Sequence, residues 1–283
     1  MNSPYFSIII PALNEEKYIP KLLDDLANQT FKDFEVIIID GNSKDKTVEM
    51  CLKYKEKIHL LVTIVKKRNV SYQRNLGASK ANGEWIIFMD ADNRLPEYFL
   101  DGIKYRILKE KPDSFTTYCT PDSKKGSDEA LVKFINLGME INNLIESPST
   151  WGSMIGIRKF IFNKNKGFDE KIGFAEDTEY IKRIYNRGIR FCVFRDPRYV
   201  VSLRHYRRDG KLKYLGNTAK LHLKNLAGLP IDQSKEYPMG GEYEVRKDLN
   251  GLTVLFNDFK KALKKPEITT KIKKYLAYLE GDY

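Results

Sequence analysis

The sequence predicts an α/β protein with a mostly parallel sheet flanked by helices. In roughly the first hundred residues, a short apolar strand, a polar or glycine-containing loop and a segment of helical periodicity follow one another repeatedly. This alternation favours a parallel sheet that is covered on both faces. The apolar runs are far shorter than the ~18 residues that suggest a membrane span.

Four runs rich in β-branched and aromatic residues predict the strands of this region. They are Phe6–Ile10, Phe34–Ile39, Ile58–Val65 and Trp85–Met89. Each is followed by apolar residues at three- and four-residue steps, which is typical of a helix with one buried face. In open sheets of this kind, ligands bind outside the carboxyl ends of the strands. The loops after these strands are therefore the predicted ligand-binding loops.

Beyond Pro112 the alternation loosens, and we predict a differently built second half. It begins with a short strand at 114–118 and a helix at about 128–146, followed by a segment of small residues at 149–153. We expect residues 1–210 to form the main domain, with one half at 1–110 and the other at 111–210. Residues 211–283 are basic and helix-rich in pattern, and we expect them to form a helical C-terminal appendage.

The composition is that of a globular protein with anionic partners. Lys and Arg number 49 against 38 Asp and Glu, which gives a formal net charge of +11. No recognised nucleic-acid-binding module is present, so we expect no nucleic-acid partner. The first residues do not resemble a signal peptide, which favours a cytoplasmic protein. The lysine-rich C-terminal region could contact the inner face of a membrane, although a solvated helical face is the simpler interpretation.

Cysteine usage indicates neither a disulfide framework nor a zinc site. The three cysteines are widely separated and show no paired short spacing. We expect all three to be reduced structural residues: Cys51, Cys119 and Cys192.

The sequence Asp90-Ala91-Asp92 directly follows the fourth predicted strand. Both carboxylates are therefore expected at the ligand edge of the sheet. Mg²⁺ and similar hard cations bind through one or two carboxylates and substrate phosphates, which such a turn supplies. The metal would neutralise a departing diphosphate. Because Asp is common in turns, this tripeptide alone is weak evidence, and its neighbours decide the interpretation.

Further polar residues follow the first two strands. Asp40 ends the second strand, where its carboxylate could accept hydrogen bonds from a base or ribose. For Asn14, Ser43 and Asp45 we prefer a structural interpretation, as turn or helix-capping residues.

The ordered set of short motifs in this region resembles glycosyltransferase family 2, a large family of inverting enzymes. The matching motifs are Pro11-Ala12-x-Asn14-Glu15, Asp40-Gly41-Asn42-Ser43, Arg74-Asn75-x-Gly77, Gly83-Glu84 and Asp90-x-Asp92. The resemblance is dense over roughly the first hundred residues. It implies the Rossmann-like GT-A fold, a nucleoside-diphosphate sugar as donor and a divalent metal, Mn²⁺ or Mg²⁺. Residues 1–110 would then be the nucleotide-sugar half and residues 111–210 the acceptor half.

The same resemblance implies roles for individual residues. Ala12, Glu15, Asp40 and Arg74 would line the nucleoside pocket, and Pro11 and Ala91 would also belong to the substrate-binding site. Asp90 would face the ribose or the metal, and Asp92 would hold the metal.

A later Glu176-Asp177 pair leads an amphipathic segment. Acids in the first turn of a helix are also favoured by the helix dipole and by capping alone. After a complete donor-site pattern, however, the resemblance makes Asp177 the general base, with Glu176 orienting it or contacting the acceptor.

Three further residues are site candidates with structural alternatives. His205 follows an extended apolar segment, and in several members of the family a late histidine completes the metal site; a hydrogen-bonded structural role is the alternative. Arg68 could reach the nucleotide, or it could lie in a solvated loop. Trp151 could stack on an acceptor sugar, although a buried tryptophan would leave the same pattern.

The sequence therefore predicts an inverting glycosyltransferase that acts on a saccharide or lipid-linked acceptor. A catalytically inactive nucleotide-sugar-binding relative is the alternative. A nucleotidyltransferase is less consistent, because the first strand is not followed by a glycine-rich phosphate loop.

Overall fold

The structure is a computed structural model that describes residues 3–144, 146–150, 153–172 and 175–209. Within these residues a seven-stranded sheet is flanked by eight helices. The strands are β1 (Phe6–Ala12), β2 (Phe34–Asp40), β3 (Leu60–Ile64), β4 (Trp85–Met89), β5 (Ser114–Pro121), β6 (Met154–Arg158) and β7 (Phe191–Val201). The helices are α1 (Ile19–Ala27), α2 (Thr47–Leu52), α3 (Val70–Lys80), α4 (Phe99–Glu110), α5 (Gly126–Leu144), α6 (Lys159–Lys164), α7 (Glu176–Tyr185) and α8 (Arg204–Asp209).

The strand order is β3-β2-β1-β4-β6-β5-β7. All pairs are parallel except the two that involve β6, which runs antiparallel to both β4 and β5. The four strands predicted for the first half are confirmed. Strand β4 has the predicted ends, and the ends of the other three lie within two residues of those predicted. Strand β6 was not predicted, and it joins the regular first half of the sheet to the second.

The order of the strands reverses at β1. From β1 the chain proceeds outwards to β2 and β3 and then returns to place β4 on the other side of β1. Such a reversal opens a crevice at the carboxyl ends of the two central strands. The loops after β1 and β4 border this crevice, and they carry Glu15 and Asp90 to Asp92.

Two apolar layers cover the sheet. One contains the buried faces of α1 and α4, and the other contains residues of α3, α6 and α7. Helix α3 approaches the sheet very closely, since a Cβ atom at Gly77 would lie 2.4 Å from Ile9 Cγ2. This close packing fixes the position of α3, the helix that carries Arg74.

A buried carboxylate also anchors the amino edge of the sheet. Glu35 accepts hydrogen bonds from Ser7 Oγ at 2.6 Å and from the backbone and side-chain nitrogens of Asn82 at 2.6 and 3.2 Å. Burial alone would raise the pKa of Glu35, but these hydrogen bonds outweigh it, and the pKa is lowered. The carboxylate therefore stabilises this edge in its charged form.

Three further expectations concern the cysteines, membrane-spanning segments and the C-terminal region. All three cysteines are free and buried, as expected. None of the helices in the described ranges combines the length and the apolar composition of a membrane span. The predicted C-terminal appendage at 211–283 and its lysine-rich region lie outside the described residues.

Candidate active site

The Asp90-Ala91-Asp92 turn is fixed by the segment that precedes β6. Asp90 N donates to Ser153 O at 3.1 Å, and Asn93 Nδ2 donates to the same oxygen at 2.7 Å. Ser153 Oγ in turn lies 2.7 Å from Tyr199 Oη, in β7. Hydrogen bonds from the second half of the sheet thus hold the turn that carries the two carboxylates at the crevice.

Arg74 is the centre of the site. Its side chain is 3% exposed, and it donates from Nη1 to Glu176 Oε1 at 2.7 Å and from Nη2 to Asp90 Oδ1 at 3.2 Å. Burial alone would lower the pKa of Arg74, but the charges of Glu176, Asp90 and Asp177 outweigh it and raise the pKa. One guanidinium therefore connects the turn after β4 with the acidic start of α7.

Asp90 remains partly open to solvent, with 39% of its side-chain surface exposed. Desolvation raises its pKa to about 6, and the charges of Asp92 and Glu176 add to this effect, while Arg74 opposes it. Several carboxylates thus crowd around one arginine. Such crowding is typical of a site that accepts a further cation.

The acidic pair lies at the start of α7, as predicted. Glu176 and Asp177 are 9% and 6% exposed, and they follow Ala175, which has a left-handed φ of 57°. Tyr180 and Ile181 anchor the helix in the apolar layer beneath the pair. The two acids are therefore held at the edge of the sheet rather than in solvent.

Helix α3 also fixes the loop that leads into α7. Asn75 Oδ1 accepts from Phe168 N at 2.9 Å, and Asn75 Nδ2 donates to Phe168 O at 2.9 Å. Glu170 in the same loop bonds Asn75 Nδ2 at 3.3 Å and forms an ion pair with Lys67. Neighbouring residues of α3, Arg74 and Asn75, thus position the acids and the loop before them.

The loops after β1 and β2 are bonded to each other. Asp40 accepts from Ser43 N at 2.8 Å and from Ser43 Oγ at 2.5 Å, while Asn14 N donates to Ser43 Oγ at 2.8 Å. Asn14 Oδ1 accepts from Lys44 N at 2.8 Å, and Asp45 accepts from Thr47 N at 3.0 Å. The structural interpretation of Asn14, Ser43 and Asp45 is confirmed. Asp40 is fully buried and engaged with Ser43, and its role toward a nucleoside stays a prediction.

The floor between these loops is formed by backbone and one buried amide. Gln73 Nε2 donates to Ala12 O at 3.2 Å and to Ile39 O at 2.8 Å. Arg68 is exposed and donates to the carbonyl oxygens of Gly41 and Asn42, both at 3.3 Å. Arg68 therefore lies beside the loop after β2, and Pro11 and Ala12 are the last two residues of β1. Their roles toward a nucleoside stay predictions.

A second arginine, Arg204 at the start of α8, connects the two remaining acids. It forms a bidentate ion pair with Glu15, with Nη1 2.8 Å from Oε2, and its Nε lies 2.9 Å from Asp92 Oδ2. The guanidinium also lies 4.4 Å over the ring of Tyr18. Burial raises the pKa of Glu15 to about 7, although Arg204 opposes the shift. Sequence reasoning did not identify Arg204, because its partners are far away in the chain and no local pattern marks it.

A groove of about 860 Å³ opens beside Asp92. It lies between the start of α1, the loop after Asp92 and the carboxyl ends of β5 and β7, and Tyr18 and Asp92 both line it. Arg74 and the acids of α7 do not line this groove. It therefore gives solvent access to Asp92.

The side chains of the turn have the chemistry that a divalent metal requires. Asp90 and Asp92 offer only oxygen ligands, which Mg²⁺ and Mn²⁺ prefer. Among the described residues no group of three His, Cys, Asp or Glu side chains converges in a metal-binding arrangement. A cation at Asp92 would therefore complete its coordination with oxygens of the substrate, as Mg²⁺ commonly does.

The side chains of two predicted site residues, Trp151 and His205, lie outside the described part of the chain. Trp151 lies outside the described residues; its neighbours Thr150 and Ser153 contact Thr178 of α7 and the Asp90 turn, respectively. His205 belongs to α8, but its side chain lies outside the described part of the chain. Their roles toward an acceptor and a metal stay predictions.

The chain is similar to known glycosyltransferases. The family model described as Glycosyl transferase family 2 matches residues 7–165. The poly(ribitol-phosphate) β-N-acetylglucosaminyltransferase TarS of Staphylococcus aureus is 26% identical over 73% of this chain and 36% of TarS. The minor teichoic acid biosynthesis protein GgaB of Bacillus subtilis is 24% identical over 98% of this chain and 33% of GgaB. The chain thus spans about a third of the length of these relatives.

Solved structures share the fold. Staphylococcus aureus TarS 1-349 in complex with UDP-GlcNAc has a TM-score of 0.59 at 24% identity, covering 82% of this chain and 69% of that chain. The mannosyltransferase PcManGT from Pyrobaculum calidifontis, in complex with GDP-Man and Mn²⁺, has a TM-score of 0.61 at 19% identity, covering 100% of this chain and 88% of that chain. The sheet is therefore that of the predicted GT-A fold. Because the family model covers more than half of the residues, the chain belongs to glycosyl transferase family 2.

Proposed function

We propose that this chain is an inverting glycosyltransferase that moves a sugar from a nucleoside-diphosphate sugar to a hydroxyl of a saccharide or lipid-linked acceptor. The observation that carries the proposal is the bridge by Arg74 from Asp90 at the donor turn to Glu176 at the acidic pair. It links the acidic pair, which contains the predicted base, to the turn at the predicted leaving-group site, at the switch point of the sheet.

Asp177 is the proposed general base. Its carboxylate takes the proton of the acceptor hydroxyl while the oxygen attacks the anomeric carbon and the bond to the diphosphate breaks. A carboxylate is too weak to ionise a sugar hydroxyl beforehand, so proton transfer accompanies bond formation, an effect worth ~10²–10⁴-fold in rate. A single displacement of this kind inverts the anomeric configuration. Glu176 is already engaged by Arg74 and therefore serves to orient the site.

Asp92, together with Asp90, would hold the divalent metal, which neutralises charge on the diphosphate. Glu15, Asp40 and the backbone at Ala12 form the proposed nucleoside side of the pocket. TarS has been solved with UDP-GlcNAc and the Pyrobaculum calidifontis enzyme with GDP-Man, so sugars linked to UDP or GDP are the first donors to test. A cytoplasmic site of action and membrane contact by the basic C-terminal region remain proposals from the sequence.

The first test is binding of UDP, GDP, CDP and TDP to the full chain by thermal shift, with and without Mn²⁺. One diphosphate should stabilise the wild type in the presence of metal, and Asp92→Ala should lose this response. Asp33→Ala is the matched control, because Asp33 is exposed and lies just before β2, at the opposite edge of the sheet.

Turnover then separates the remaining alternatives. Release of the nucleoside diphosphate from its sugar, with an inverted anomeric signal in the NMR spectrum of the product, supports the proposed reaction. Binding without turnover on any acceptor would favour an inactive sugar-binding relative. Release of pyrophosphate from a nucleoside triphosphate in the presence of a sugar phosphate would instead identify a nucleotidyltransferase. A wild type that none of the diphosphates stabilises would contradict the proposal.

A further inference from the structure

Arg204 occupies a position that the proposed reaction does not explain. It lies between Glu15, after β1, and Asp92, the predicted metal ligand, although 189 residues separate it from Glu15. The side chains of Glu15 and Asp92 are only 11% and 12% exposed, and that of Arg204 is 25% exposed. Two largely buried carboxylates thus share one cation on the donor side of the crevice.

The two contacts of Arg204 differ in kind. Toward Glu15 the terminal nitrogens form a two-pronged, hydrogen-bonded ion pair, which is the strongest arrangement available to arginine. Toward Asp92 only Nε is near, at 2.9 Å, and it is buried without a hydrogen bond to any residue that the structure describes. The attraction to Asp92 is therefore one of charge without a well-aligned bond, so Asp92 is the partner that Arg204 can release at lower cost.

We propose that Arg204 acts as the built-in counter-cation of the donor site, and that a divalent metal competes with it for Asp92. This inference rests on the proposed function, since it assumes that Asp92 receives a metal with the donor diphosphate. In the donor-free chain Arg204 compensates the charge of both carboxylates. Metal binding then requires Asp92 to leave Nε, while the bond to Glu15 holds the start of α8 at the site.

Competition of this kind makes metal binding depend on the donor. A metal ion that binds without a nucleotide must displace the positive charge of Arg204 from Asp92. It enters a site in which one arginine already compensates two carboxylates. A metal that arrives with a diphosphate brings compensating negative charge, which the freed Nε and the unused guanidinium N–H groups can bond. Metal and nucleotide should consequently bind with positive coupling, and the coupling must be the same in both directions.

The experiment measures Mn²⁺ affinity of the full chain without nucleotide, from the EPR signal of free Mn²⁺. Arg204→Met leaves Glu15 and Asp92 without their cation, and its Mn²⁺ affinity should exceed that of the wild type by about tenfold or more. Arg207→Met is the matched control in the same helix, because Arg207 pairs with Asp122 and Asp128 instead. Its Mn²⁺ affinity should equal that of the wild type.

A second variant, Arg204→Lys, allows the test even if Arg204→Met does not fold. Arg204→Lys keeps one positive charge but lacks the planar fork that reaches both carboxylates. Its Mn²⁺ affinity should lie between those of the wild type and Arg204→Met. The same titrations with saturating UDP or GDP should show weaker coupling between metal and nucleotide in both Arg204 variants than in the wild type.

Two results would contradict the proposed role of Arg204. If folded Arg204 variants bind Mn²⁺ no more tightly than the wild type, Arg204 does not compete for Asp92. If Arg207→Met gains as much affinity as Arg204→Met, the effect comes from net charge and the proposal fails. A wild type that binds Mn²⁺ but no nucleoside diphosphate would refute the glycosyltransferase function, while the order of Mn²⁺ affinities would still test Arg204 by itself.

Discussion

Replacement of Arg74 by Met is expected to destabilise the fold by about 3 kcal/mol. At an effective dielectric constant of about 20, unit charges 2.7 and 3.2 Å apart attract each other by roughly 6 and 5 kcal/mol. The desolvation of the buried charges offsets most of this attraction, and loss of one partner of a buried pair costs about 3–5 kcal/mol. The lower end applies because 39% of the Asp90 side chain is exposed to solvent.

Urea unfolding followed by circular dichroism measures this loss. Arg195→Met is the control, because that side chain is 60% exposed and its ion pair with Glu140 should contribute less than about 1 kcal/mol. Adding Glu176→Gln to Arg74→Met removes one uncompensated charge, so the double variant should be more stable than the sum of the single changes by about 1–3 kcal/mol. If Arg74→Met is no less stable than Arg195→Met, the buried bridge contributes no more to stability than a surface ion pair.

Three further predictions follow from the site and the packing. Asp177→Asn should lower kcat by about 10²–10⁴-fold without weakening binding of the nucleoside diphosphate, as measured by parallel kinetics and calorimetry, and an unchanged kcat would rule out its role as base. Gly77→Ala should destabilise by about 1–3 kcal/mol because its Cβ would meet Ile9 at 2.4 Å, whereas Gly138→Ala, which meets nothing within 4 Å in α5, should stabilise by about 0.5–1 kcal/mol. Equal effects in urea unfolding would argue against the close packing of α3. The folded pKa of Glu35 is lowered, so the stability that its charge provides is present above its unfolded pKa of 4.5 and is lost as the pH falls through the folded pKa. The stability advantage of the wild type over Glu35→Gln should therefore shrink below pH 4.5. A constant difference in stability across about pH 3–7 would contradict this.

Much of the first half could be predicted because its signals are local. The run Trp85–Met89 is entirely apolar, and the structure makes it a fully buried strand, with Asp90 at its carboxyl end. The turn formed by Asp40 and Ser43 is likewise a short-range pattern, with hydrogen bonds across three residues. Such features depend on neighbouring residues, so the sequence alone displays them.

The features that sequence reasoning missed depend on distant partners. Strand β6 has only five residues, Met154–Arg158, and its antiparallel direction is set by pairing with β4 and β5 rather than by its own pattern. The contact of Arg204 with Glu15 spans 189 residues, and the bonds of Asn75 to Phe168 span 93. No periodicity marks such pairs, so only the folded chain reveals them.

The reversed direction of β6 has a consequence for how this protein can diversify. Because β6 runs against its neighbours, the segment before it, not the segment after it, arrives at the ligand edge. Residues 146–150 therefore reach the site as the end of a connection from α5, a helix that follows β5 on the surface of the sheet. Insertions or deletions in this connection can reshape the proposed acceptor side of the crevice while the strands that carry Glu15 and Asp90 keep their register. Under the proposed function, acceptor choice and donor choice can consequently evolve as separate traits on one sheet.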